Sequence, residues 1–232
     1  MVGNMSQTFT PFGLSYNTYE GGKEALTLRT YQLSNNGKAQ SLGLQDVVTF
    51  SEVAGDAGLS ALPAAVAAAA YVNPNVANYI VGKIEGFWYL NQQGTYTTTK
   101  YWAGGTPVFN NGPVNVILNA LPNSTFLVQA NSPFPNGLSA VGANLNLVQN
   151  GGASGVQTPA SLFGANSSSG QSQQYLISGA FLGAGTLAGH CKVLSLASQS
   201  SAFPNQSWAD PYPVVVVRIN THFFGAPTPS VY

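Results

Sequence analysis

His190 and Cys191 stand side by side in AGHCKV, a thiol next to an imidazole. A thiolate attacks a carbonyl when a base takes its proton, so the pair has the residue types for acyl transfer. Consecutive residues of a strand point to opposite faces, however, and this spacing separates the two groups. His222 is the other histidine of the chain, and no HExxH pair occurs. Asp46, Glu52 and Asp56 would share a cation only if the intervening chain folded back, and they lack the complete calcium-loop pattern. Surface solvation or local capping accounts for them more simply. Neither Gly104 and Gly105 nor Gly151 and Gly152 precede a phosphate-binding lysine, and they read as turns. No catalytic, cofactor-binding or metal-binding set is therefore expected, and the chain reads as a non-enzyme. Cys191 is the single cysteine, which excludes an internal disulfide and reads as a small core residue.

With no reactive cluster to hold, the surface itself becomes the object of interest. Seven basic and seven acidic side chains in 232 residues make the chain 6% charged with zero formal net charge, against about a quarter charged in ordinary soluble domains. A covering of Asn, Gln, Ser, Thr, Gly and apolar atoms loses little on meeting another protein, because few charges must be desolvated. A place in an assembly is favoured. Nucleic acid is disfavoured as a partner, since Lys23, Arg29, Lys38, Lys83, Lys100, Lys192 and Arg218 are scattered rather than clustered. MVGNMSQTFTPF has no basic region leading an apolar core, so secretion by the standard route is not expected. The alanine-rich run at 59–72 is short and carries Pro63, so a membrane span is not expected either.

The elements that build such a surface are mostly strands. TFTPFGLSYNTYEGGKE shows no sustained period and reads as an extended lead-in, with aromatics among Gly and Asn that offer contact area. Phe12 and Tyr16 either grip a neighbouring subunit or cover the end of their own fold. ALTLRTYQL (25–33) alternates as a strand closed by a turn at SNNGK, and DVVTF (46–50) is a second strand. Residues 60–71 are the one expected helix or alanine-rich loop. ANYIVGKIEGFWYL (77–90) reads as two strands or one bent strand, and TYTTTKYW (95–102) is rich in β formers. VNVILNAL and STFLVQA, separated by Pro122 and Asn123, signal a hairpin or a corner. Residues 136–174 read as a short strand and a long excursion. Three strands follow, the last being PVVVVRIN with alternate valines on opposite sides.

Several of these segments, in order along nearly the whole chain, resemble the capsid decoration, or cement, proteins of tailed phages. TPFGLSYNTYEGGKEALTLRTYQL resembles that family's aromatic, Gly-rich lead-in to a first strand. IVGKIEGFWY and TTTKYWAGG resemble its GVVVGFEY-like strand and RYWPAG-like turn. STFLVQA resembles FEVQ, AVGANLNLV followed by GGASGVQ resembles VGANADLV and its continuation, and VVVVRINTHFF resembles a closing VRIN-H-F element. The runs at 59–74 and 203–213 look like insertions relative to short members of the family.

The resemblance implies a non-enzymatic viral structural protein, made in the host cytoplasm and carried on the outer surface of the virion. There it would brace the major capsid protein around local threefold positions, as a homo-oligomer, a trimer. The expected fold is mostly β: a compact barrel or sandwich-like domain, of tulip type, at 25–224. An N-terminal arm at 1–24, a loop-rich excursion at about 149–174 and a tail at 225–232 would complete it. The candidate assembly interface is Phe12, Tyr16, Tyr19, Trp88, Trp102, Trp208, Phe223 and Phe224. Two other roles fit a β-rich chain of this composition: a small major capsid protein, or a host-recognition protein binding glycans through its tryptophans and tyrosines.

Overall fold

The computed structural model describes residues 13–19, 28–50, 55–61, 80–120, 122–134, 140–149, 172, 174–176, 189–197, 206–220 and 222. Among them the protein is mostly β. The first strands are β1 (Ser15–Tyr19), β2 (Leu28–Gln32), β3 (Leu42–Gly43), β4 (Val47–Phe50) and β5 (Leu59–Ala61), with a one-turn helix α1 (Asn35–Lys38) after β2. The central strands are β6 (Gly82–Leu90), β7 (Tyr96–Thr99), β8 (Tyr101–Trp102), β9 (Val114–Asn119) and β10 (Ser124–Gln129). The chain continues through β11 (Asn144–Leu145), β12 (Leu147–Gln149), β13 (Gln174–Leu176), β14 (Cys191–Leu196) and β15 (Val214–Ile219).

Two antiparallel sheets organise these strands. One runs β2-β9-β6-β4-β5, with β7 added to β6; the other runs β1-β10-β15-β14-β11. Two small ribbons, β3 with β8 and β12 with β13, lie beside them. None of the described sheets closes into a barrel. Pro122 and Asn123 lie at the passage between the sheets, because β9 belongs to the first and β10 to the second. Of the hairpin and the corner that the sequence allowed, the corner is what forms. An amide-less proline cannot extend a ladder, so the chain leaves one sheet there and enters the next.

The period of two along each strand divides the apolar residues between two cores. Val47 joins Leu14, Phe126, Val128, Val215, Val217 and Ile219, whereas its neighbour Val48 joins Ile84, Phe87, Trp102, Val114, Val116 and Leu118. Strand β4 therefore serves both cores. In β15, Val215 and Val217 face the first core while Val214 and Val216 pack with Leu127 and Ala197 on the other side. The expected alternation holds, and this strand is central, between β10 and β14.

Two segments differ from expectation, and one open alternative is decided. Within the expected arm, Ser15–Tyr19 is an edge strand on β10, and Leu14 is wholly buried. Residues at the start of the expected helix or alanine-rich loop at 60–71 belong to strand β5, paired with β4; the rest of that segment lies outside the described residues. Of the two forms open to 77–90, the described part takes one bent strand, β6, whose register against β9 shifts between Ile84 and Gly86; residues 77–79 lie outside the described residues. An extra residue on one strand bends it and increases its twist.

Candidate functional site

The residues with reactive side chains are used structurally. His190 and Cys191 are both buried, and Nδ1 of His190 accepts a hydrogen bond from the Leu147 amide at 3.2 Å. That lone pair is occupied, and burial lowers the imidazole pKa to about 4, leaving it neutral. Burial also raises the Cys191 thiol well above its usual range, which removes the thiolate a nucleophile needs. The imidazole of His222 is lowered to about 4 by burial and by the Arg29 cation.

The two described acids of the candidate cation trio are likewise engaged. Asp46 accepts from the Gly43 amide at 2.8 Å and from the Ser172 hydroxyl. Gln174 continues this buried network, its Oε1 accepting from the Val47 amide at 2.9 Å. Asp56 accepts from the amides of Asn35 and Asn36 at 2.6 and 2.9 Å, capping α1. Such amides have no partner inside a helix, so a carboxylate there is stabilising. Glu52 lies outside the described residues. No group of three or more His, Cys, Asp or Glu side chains suited to a metal occurs among the described residues, and no helix among them is long and apolar enough to cross a membrane.

The aromatic candidates separate into core and surface. Trp102 is 1% exposed, and its indole Nε1 donates to the Lys38 carbonyl at 2.9 Å. The Gly105 amide donates to that same carbonyl at 2.8 Å. Trp102 is thus an internal pin that ties the turn after β8 to α1, and its large apolar ring is consumed by the protein's own core. Tyr16 packs edge-on against Phe126 at 6.4 Å, so its ring covers the core beside β1. Trp208 packs edge-on against Phe134 at 5.4 Å, while its carbonyl accepts from the Phe134 amide at 2.9 Å. Tyr19 pairs with Ser124 through β1. Phe12, Phe223 and Phe224 lie outside the described residues.

Trp88 is different. It is half-buried on the face of the first sheet that points away from Phe87 and Val116. Register alignment places Gln32 opposite Asn115, Asn115 opposite Trp88, and Trp88 opposite Thr98, a row across β2, β9, β6 and β7. Directly opposed residues share a face and have adjacent side chains. Tyr96 leans over this row, its ring centroid 5.9 Å from that of Trp88 with the planes at 48°. A shallow pocket of about 240 Å³ opens there, bounded by Gln32, Trp88, Leu90, Tyr96, Pro113 and Asn115. None of these six carries a charge. Gln32, Asn115 and Tyr96 were not among the sequence candidates. Asn115 interrupts the apolar VNVILN, a signal that the opposite face of β9 has another use, but its neighbours come from remote strands.

Comparison with protein-family models, curated proteins and solved structures gives no match to this chain.

Proposed function

We propose that the protein is a decoration protein of a tailed-phage head, bound to the outer surface of the shell and bracing major-capsid subunits as a homo-oligomer, a trimer. The observation that carries this reading is the ordered series of family-like segments spanning nearly the full sequence. Those segments fall on framework elements: IVGKIEGFWY covers β6 up to Tyr89, TTTKYWAGG contains β8, STFLVQA contains β10, and VVVVRINTHFF contains β15. The nearly uncharged composition supports it physically, since many copies docking on a shell desolvate few charges and gain strength by multivalency. A sandwich-like or tulip-like closure of the two open sheets belongs to the same proposal. It is supported by β4, whose successive valines feed separate cores.

Native mass spectrometry and imaging of heads prepared with and without the protein test the reading. Heads should form without it and gain ordered external additions on reconstitution; absence of the protein from heads overturns it. The arm component needs a deletion confined to residues 1–12. Removing 1–19 would also strip Leu14 from the core and β1 from the edge of β10. Unchanged head affinity after the shorter deletion would reject a gripping arm.

A further inference from the structure

We infer that the outer face of the first sheet, at Trp88, Tyr96, Asn115 and Gln32, is a binding site for a neutral carbohydrate, one pyranose ring resting against the aromatic pair. The strongest sign is Asn115. It is 6% exposed, it lines the pocket, and its carboxamide makes no hydrogen bond to any described residue. Its polar atoms are not sealed from solvent, so water in the pocket satisfies them and an entering hydroxyl takes that water's place. Asn115 therefore holds donor and acceptor capacity ready for something that enters the pocket.

The second sign is the aromatic pair. Tyr96 is 73% exposed, although a ring of that size normally contributes to a core or an interface. Its tilt of 48° against Trp88 leaves a cleft rather than a closed stack. Aromatic faces suit the C–H faces of a sugar ring, and carboxamides, each with two donors and an acceptor oxygen, match vicinal hydroxyls. The pocket is open and small, about 240 Å³ against roughly 300 Å³ or more for drug-sized ligands, with mainly apolar walls and a few polar groups, which limits it to one sugar ring.

The absence of charge in the lining narrows the ligand class. Phosphate, carboxylate or sulfate would leave its charge uncompensated there. The ammonium of Lys38 donates to the carbonyl of Gly112, a seventh lining residue, at 3.1 Å, so its charge stands beside the pocket rather than in its lining. The uncharged lining favours a neutral hexose or N-acetylhexosamine over a sialylated or phosphorylated glycan. This site does not depend on the proposed place on a phage head, and it can be tested on the isolated chain.

The full chain should be tested against immobilised neutral oligosaccharides built from glucose, galactose, mannose and N-acetylglucosamine, with sialylated and phosphorylated counterparts beside them. Binding to at least one neutral glycan is expected, weakened at least tenfold in Tyr96→Ala and in Asn115→Ala. Tyr96→Ala guards against misreading a folding defect, since so exposed a ring can be removed with an unchanged unfolding midpoint. Failure of every neutral glycan to bind overturns the proposal, as does binding that Tyr96→Ala and Asn115→Ala leave intact or a preference for the charged counterparts. If Tyr96→Ala instead abolishes self-association or head binding while no sugar binds, the face is a protein interface and the carbohydrate assignment is wrong.

Discussion

The ammonium of Lys83 lies 2.8 Å from Oε1 of Glu85, two residues along the same strand. Lys83 is only 4% exposed and Glu85 31%. Residues two apart on a strand share a face, so Glu85 is the counter-ion of a buried lysine. The register shift between Ile84 and Gly86 then brings Phe87 onto the face of Ile84, both in one core. Glu85→Ala should destabilise the fold by roughly 2 kcal/mol, less than the loss from breaking a fully enclosed pair because Glu85 meets solvent. The double variant Lys83→Met with Glu85→Ala should recover most of it. Urea unfolding of the three proteins checks this, and a single variant as stable as the parent contradicts it.

Acidification should weaken the fold through its histidines. The pKa of His190 is lowered to about 4, and that of His222 also to about 4, against about 6.5 in an unfolded chain. Between these values the unfolded chain binds more protons than the folded one, so stability falls as pH falls through the window and levels off below it. For His190 alone the loss is roughly 3 kcal/mol. Unfolding midpoints followed by tryptophan fluorescence should drop between about pH 7 and pH 4.5. A midpoint constant across that range would show that neither imidazole is held neutral by burial.

The valine run of β15 tests the division of faces. Val215 is fully buried between Val128 and Leu196, while Val216 is half-buried on the other side. Val215→Asp should cost several kcal/mol, on the order of the penalty for burying an unpaired polar group, and collapse the circular dichroism spectrum. Val216→Asp should be milder. Equal effects would deny the asymmetry of the two faces.

Trp102 should behave as a core residue. Trp102→Ala is expected to lose about 3–5 kcal/mol. Trp102→Phe should lose about 1 kcal/mol, because the Gly105 amide still serves the Lys38 carbonyl. Differential scanning calorimetry separates these outcomes. An alanine variant with native stability would move Trp102 to the surface.

Much of the framework was legible in the chain. Period-two alternation in VVVVRIN, β formers in TYTTT and the strand break at Pro122 after VNVILN follow from local sterics and side-chain alternation. Of the surface solvation or local capping expected for the three acids, capping is what Asp56 does. The start of the alanine-rich run was misjudged because Leu59–Ala61 gains a ladder on β4, and pairing overrides helix propensity.

The sequence by itself determined a weakly charged, strand-rich chain. Tertiary structure alone decided which tryptophan is core and which is surface: Trp88 and Trp102 both sit in aromatic β segments, and no local pattern tells them apart. Trp102 is enclosed because β8 pairs with β3 and its indole reaches Lys38. Trp88 remains on the outer face because its neighbours Phe87 and Tyr89 take the inner one. Likewise Gln32, Asn115 and Trp88 meet only through the long-range register of three strands. Register is fixed by which faces the whole sheet buries, so a one-residue slip in any strand would scatter the row.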